Sequence, residues 1–244
     1  MALSPTVLGK LAQYDTATVC NVIELFEVRP DAAGFMDGRI QAAFPELPPM
    51  VGFAATAAFR SAEPPRGDNA YGTLETQLEL MATLPGPAIA VFQDLDDPAV
   101  GATFGEIMCS TYRAFGSAGL ITSGGGRDLA QVRAMDFPVF IGSKICSHAH
   151  CQILDVGRSV RVGGLTVHVG DLLHGDANGV AKIPVEIAEE AADAAADFVA
   201  AEKLILDYTL DSGPKSIREF ADRRRACGEA LAALRRRVSR KPRG

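Results

Sequence analysis

Gly101-Ala102-Thr103-Phe104-Gly105-Glu106 at one end and Thr122-Ser123-Gly124-Gly125-Gly126-Arg127-Asp128 at the other bound the stretch that decides the fold of this chain. Each end reads as a glycine-rich turn leading into a helix, where backbone N–H groups lack intrahelical partners and an anion is welcome. Between the turns the pattern predicts one helix, residues 103–115, and one strand, residues 120–122. Two such helix starts, so close in sequence, are expected to face one pocket.

Working outward, the chain alternates helical and strand-like segments. Upstream lie two short helices, residues 3–14 and 16–26, the second opened by Asp15 as an N-cap. A loop over the surface, residues 27–50, a strand at 51–60 and a turn cluster that includes Gly67-Asp68-Asn69 follow. A helix over 71–83 has Leu74, Leu78 and Met81 at helical spacing, and residues 88–93 read as a buried strand. Downstream come a short helix at 128–135 and a strand at 138–141. This alternation argues for βαβ units and a largely parallel sheet, hence an α/β domain. Residues 152–183 change texture to short alternating runs punctuated by glycine, a section of hairpins and turns. Gly170-Asp171 and Gly175-Asp176 read there as structural turn residues. A long alanine-rich helix runs from Pro184 to about Tyr208, and a last helix over 215–239 carries Ile217, Phe220, Cys227, Leu231, Leu234 and Val238 on one stripe.

The motifs admit more than one use. Thr103-Phe104-Gly105-Glu106 fits a capping box, Thr103 receiving an amide and Glu106 reaching back. Alternatively the amides around Gly105 hold a carboxylate, and Glu106 binds a cation through water. The glycine run before Arg127 is neither a phosphate-binding P-loop nor a dinucleotide fingerprint. It lies after a strand and before a helix, where open α/β sheets place ligands. Its three glycines let the backbone approach a small ligand closely or take positive φ; alternatively, Asp128 merely caps its own helix. Cys146-Ser147-His148-Ala149-His150-Cys151 reads first as a polar loop. His148 or His150 at the pocket rim, touching the distal part of a substrate, is its functional alternative. A zinc site is disfavoured, because on a strand Cys151 points away from the face shared by Cys146, His148 and His150.

The ordered path from Gly105-Glu106 through Gly119-Leu120-Ile121-Thr122 and Arg127-Asp128 to Phe137-Pro138-Val139-Phe140 continues through Val162-Gly163-Gly164, Gly170-Asp171, Gly175-Asp176 and Pro184. Taken together, these motifs resemble the RraA-like family, which includes 4-hydroxy-4-methyl-2-oxoglutarate and 4-carboxy-4-hydroxy-2-oxoadipate aldolases and the regulators of ribonuclease E activity. The resemblance implies a swivelling β/β/α domain over residues 1–190 with a C-terminal helical arm, residues 191–244, packed on the body or on a neighbouring subunit. It implies a homotrimer or hexamer with sites built between chains, and Gly67-Asp68-Asn69 bordering a neighbour's pocket. It further implies a class II aldolase that releases pyruvate from a short 2-keto acid, with oxaloacetate decarboxylation alongside. Arg127, Asp128 and Glu106 are then the catalytic set, and Gly105, Glu106, Ile107, Met108 and Arg127 hold the substrate. Asp128 binds Mg²⁺ or Mn²⁺ largely through waters. A hard cation with few protein ligands suits that chemistry, because a Lewis acid and a guanidinium stabilise the developing enolate. The alternative within the family is a non-catalytic regulator that binds a protein such as a ribonuclease. The chain departs from the family pattern at Gln131, Ser123 and Asn21, where acids are frequent.

Composition bounds the remaining classes. The chain has 244 residues, 48% of them hydrophobic, and a net charge of −6. Residues 214–244 carry eleven Lys/Arg against three acids, so that segment is +8 and the rest −14. A nucleic-acid reader spreads its positive charge over a folded face; here it sits on one terminal helix, so no nucleic-acid partner is expected. No run approaches the roughly 18 apolar residues of a membrane span. The five scattered cysteines fit a reducing compartment. A cytoplasmic protein with no membrane partner is the expectation.

Overall fold

The computed structural model describes residues 3–65 and 73–241. Gly67-Asp68-Asn69 and the start of the helix expected over 71–83 lie outside that range. In chain order the elements are α1 (Pro5–Leu11), α2 (Thr16–Phe26), β1 (Gln41–Ala42), β2 (Met50–Arg60), α3 (Leu74–Ala82) and β3 (Ala88–Asp94). Next come β4 (Ala102–Phe104), α4 (Glu106–Ala114), β5 (Ser117–Thr122), β6 (Gly125–Gly126), α5 (Leu129–Ala134), β7 (Val139–Ile141) and β8 (Ser143–Lys144). The chain ends with β9 (Gln152–Leu154), β10 (Val160–Val162), β11 (Leu165–Val167), β12 (Leu172–Asp176), β13 (Gly179–Ile183), α6 (Ala188–Leu210) and α7 (Ile217–Val238). Among the described residues no helix is long and apolar enough to cross a membrane.

The chain divides into two units. The first is built from the described residues of Met1–Thr16 and Gly34–Val185. Its main sheet runs β1-β7-β5-β3-β2-β12-β13. β7, β5, β3 and β2 are parallel, and β1 and β12 flank them antiparallel. β2 is buried at every position but its last. A strand covered on both faces reads as such a continuous apolar run rather than an alternating one. Because β2 is long, it pairs β12 over Met50–Phe53 and β9 over Ala58–Arg60.

The two sheet faces build two cores. One collects Phe59, Phe92 and Leu120 with Met81, Met108, Tyr112 and Val132 of α3, α4 and α5. The other packs Ile89, Val91 and Ile121 against Val160, Val162, Leu165 and Val167 of the β10–β11 hairpin. Helices on one face and a hairpin on the other make the β/β/α layering. Met36 and Ile40 belong to the second core. The stretch expected to run as loop over the surface at 27–50 is therefore partly interior: the Met36 amide donates to the Val180 carbonyl, 2.9 Å, and Phe35 bridges Ala181.

The second unit comprises Ala17–Ala33 and the described residues of Glu186–Gly244. Its α6 and α7 are the expected helical C-terminal region. Ser216 caps α7, its hydroxyl accepting from the Glu219 amide. Of the apolar stripe on α7, Cys227, Leu234 and Val238 are buried, whereas Ile217 is 89% exposed.

Candidate functional site

β4, β6 and β8 form a small parallel sheet of their own. It corrects the reading of Thr103 as a helix cap. Thr103 lies in β4, and its hydroxyl is 2.8 Å from that of Thr122 in the interior. α4 begins only at Glu106, with Gly105 at its N-cap position and no side-chain cap from its own chain segment. A three-residue strand of this kind carries no periodicity, so the stretch joins the helical pattern that follows it. The glycine run of β6 also has a different use from those expected. None of Gly124, Gly125 and Gly126 has positive φ. They admit protein side chains instead: a Cβ on Gly126 would stand 2.4 Å from the Phe104 ring, and one on Gly125 2.7 Å from Ile145.

α4 packs into the helical core on the main sheet. Met108, Cys109 and Tyr112 are its buried face. The Tyr112 hydroxyl donates to Gln77 Oε1 at 2.6 Å, and the Gln77 amide donates to the Ala55 carbonyl of β2. Burial pushes the Cys109 thiol and the Tyr112 phenol up, so both stay neutral and structural. The opposite face presents Glu106 and Ile107, the latter 83% exposed.

Asp128 supplies the cap that α4 lacks. Its Oδ2 accepts the Glu106 N–H at 3.1 Å, and Arg127 Nε lies 3.6 Å from the same oxygen. The Arg127 amide in turn donates to the Phe104 carbonyl, 3.1 Å. Asp128 sits at the N-cap position of α5 in the left-handed region, φ 54° and ψ 37°, and makes no side-chain cap to that helix. It therefore does not merely cap its own helix. Aspartate tolerates this conformation better than most residues, and such strain is typical of positions held for function. The anion at the amino end of α4 is thus a side chain of the protein. The amides of Ile107 and Met108 remain without intrahelical partners.

Gly105, Glu106, Ile107, Met108, Arg127 and Asp128 line one cavity of about 420 Å³, so the two turns do face one pocket. His148 joins them. His150, Gln131 and Asn21 do not line it. Asp171 is structural, pairing with Lys182 at 3.0 Å. Asp176 lies in β12 rather than in a turn, and its Oδ2 accepts the first amide of α2, from Thr16, at 2.8 Å.

A second cavity, about 840 Å³, opens at the carboxyl ends of β3, β5 and β7, where Asp94, Ser123 and Gly142 line it. Ser123 belongs to this cavity, and its Oγ accepts the Asp94 amide at 2.8 Å. Asp94 went unread in the sequence, for nothing local marks it. Burial first, and Asp96 nearby, push its carboxyl up to about 6 against the backbone bond from Asp96. Its Oδ2 is buried without a hydrogen-bond partner among the described residues.

Comparison with known proteins follows the same outline. A protein of Halalkalibacterium halodurans with the provisional name 4-hydroxy-4-methyl-2-oxoglutarate aldolase is 29% identical over 131 residues, 52% of this chain. The match spans 61% of that relative's length. An uncharacterized protein from Pseudomonas syringae pv. tomato superposes with a TM-score of 0.71 at 20% identity, over 92% of this chain and 95% of its own. Streptomyces coelicolor RraAS2, described as an unusual member of the RNase ES inhibitor RraA protein family, gives a TM-score of 0.66 at 23% identity, covering 83% and 96%. These likenesses below 25% identity establish the fold alone. The model of the RraA-like family, described as Aldolase/RraA, matches residues 16–181, and with two-thirds of its length inside that match this chain belongs to the RraA-like family.

Proposed function

We propose that the protein is a divalent-metal-dependent aldolase that cleaves a short 4-hydroxy-2-keto acid, such as 4-hydroxy-4-methyl-2-oxoglutarate, to release pyruvate, and that it also decarboxylates oxaloacetate. The observation that carries this reading is the convergence of Arg127 and Asp128 on the amino end of α4 across Gly105. Each residue then has a chemical task. The amides of Ile107 and Met108 receive the substrate carboxylate, as helix starts do. The Arg127 guanidinium, a fixed cation with directed donors, faces the keto oxygen and stabilises the charge that gathers there as the carbon–carbon bond opens. Asp128 keeps that guanidinium and the helix start in register.

The donor set fits a loosely held hard cation. Among the described residues no three His, Cys, Asp or Glu side chains converge. The cavity wall offers Asp128, with Glu106 beside it. Mg²⁺ or Mn²⁺ takes one or two carboxylates, keeps several waters and completes its shell with substrate oxygens. Bound there, it would polarise the keto carbonyl as a Lewis acid. The loss of acids at Gln131 and Ser123 does not thin this set, because neither residue lines the cavity. A homo-oligomer, trimer or hexamer, belongs to the same proposal: Ile107, lining the cavity and largely exposed, suits a wall completed by a second copy.

The test is pyruvate release from 4-hydroxy-4-methyl-2-oxoglutarate and from oxaloacetate, with and without EDTA. Turnover that EDTA abolishes, and that Arg127→Ala and Asp128→Ala each lower by about 100-fold or more, is the expected result. Absence of metal-dependent turnover on either acid would instead favour a regulator that acts by binding another protein.

A further inference from the structure

The loop between β8 and β9 is tied to the site on three sides. The Ala102 amide donates to the Ser147 carbonyl at 2.7 Å, the Ile145 amide to the Gly126 carbonyl at 3.2 Å and the His150 amide to the Ser61 carbonyl at 3.0 Å. A Cβ on Gly101 would stand 2.7 Å from the His148 carbonyl oxygen, so the loop rests directly on the start of β4. Ala149 turns the chain with φ 46°. The result fixes His148 on the wall of the same cavity as Arg127 and Asp128.

The ring's protonation pattern follows from a bond it makes to its neighbour. His148 Nδ1 lies 2.8 Å from the Ala149 carbonyl oxygen. A carbonyl only accepts, so Nδ1 carries the hydrogen, and Nε2 of the neutral ring keeps its lone pair. Among the described residues, four titratable side chains line the cavity: Glu106, Arg127, Asp128 and His148. A guanidinium does not give up its proton. Asp128 is engaged by the Glu106 amide and Arg127, and Glu106 stands beside it on the cation side. Imidazole is also the side chain best suited to taking and returning a proton near neutrality.

We propose that His148 is the base that takes the 4-hydroxyl proton in aldol cleavage, an inference that rests on the aldolase reading above. The O–H bond breaks as its proton passes to Nε2, and the oxygen's electron pair forms the carbonyl of the departing fragment. The C3–C4 bond breaks, its pair entering the enolate of pyruvate next to Arg127. A proton then returns to C3 and the ring is again neutral, so one 4-hydroxy-2-keto acid gives pyruvate and one carbonyl compound with no net proton change. Decarboxylation of oxaloacetate reaches the same enolate by loss of CO₂, with no hydroxyl proton to remove. His148 therefore separates two reactions that share Arg127 and Asp128.

The experiment measures kcat for 4-hydroxy-4-methyl-2-oxoglutarate cleavage and for oxaloacetate decarboxylation in wild type, His148→Gln, His148→Ala and Glu106→Gln. The expected result is an aldol-to-decarboxylase ratio about 100-fold lower in both His148 variants, partly restored in His148→Ala by added imidazole, and a ratio that Glu106→Gln leaves near that of wild type. Equal changes in both activities of the His148 variants, no change in either, or a ratio shifted by Glu106→Gln instead would overturn the role of His148 while leaving the aldolase reading intact. Wild-type protein inert on both acids would remove that reading and this inference together. The His148 side chain is exposed, and melting temperatures verify that the variants fold.

Discussion

Gly105 is the residue on which the site turns. Its φ of −145° is ordinary extended backbone that any residue adopts, so conformation does not demand glycine there. Space does: an added Cβ would stand 2.4 Å from Asp128 Oδ2 and 2.9 Å from Arg127 Nε. Gly105→Ala should therefore separate Asp128 from the Glu106 amide and lower the melting temperature by only about 2–4 °C, the cost of losing one helix cap. A displacement of about 1 Å at such a site is worth on the order of 100-fold in rate. Steady-state kinetics with a parallel thermal melt checks this, and an active Gly105→Ala protein would show that the Asp128 contact is dispensable. Arg127-Asp128 was legible in the sequence as a pair. Its attachment to α4 was not, because a hydrogen bond between residues 106 and 128 leaves no local pattern.

At the scale of elements, the segment from Leu11 at the end of α1 to Thr16 hangs on a buried histidine. His174 of β12 is fully buried, its Nε2 3.2 Å from the Leu11 carbonyl and its Nδ1 2.9 Å from the Thr16 hydroxyl. The carbonyl must accept, so Nε2 carries the hydrogen and Nδ1 accepts from Thr16. Burial holds the imidazole below its ordinary value, against the opposing pull of the Leu11 carbonyl and Asp176. Below the ordinary histidine value of about 6.5 the unfolded chain binds a proton that the folded ring refuses, so stability from this group is present above that pH and lost as pH falls. His174→Gln is expected to be about 1–3 kcal/mol less stable at pH 7.5 and to lose less on acidification to pH 5.5 than wild type does. Urea unfolding at the two pH values tests it; parallel pH dependence in both proteins would place the titration elsewhere.

For the whole molecule, part of the charge imbalance is met by ion pairs within the second unit. Arg235 and Lys241 of the C-terminal segment lie 3.8 Å from Glu27, Arg237 lies 2.5 Å from Asp197, and Arg240 pairs with Glu190. These cations thus answer acids around them. Exposed pairs of this kind are worth at most about 1 kcal/mol each, so the helix is retained chiefly by Cys227, Leu234 and Val238. Leu206, Leu210, Ile217 and Phe220 stay exposed near the turn between α6 and α7. Deleting residues 214–244 should lower the melting temperature and change the number of subunits that light scattering gives per particle. A truncated chain with the melting curve and the subunit number of the full-length protein would contradict both expectations.

The amino-acid sequence by itself determined the α/β class, the run of buried strands, the two C-terminal helices and the motif order of the family, because each of these is written in local period or spacing. It also marked Gly105 and the Arg127-Asp128 pair. Only the tertiary structure decided that Thr103 belongs to a strand, that Asp128 caps a helix other than its own, that Ser123 lines a different cavity from Arg127 and that His148 lies on the wall of the site. These depend on contacts between residues distant in the chain, where packing and unpaired amides choose the partner and no periodicity announces it.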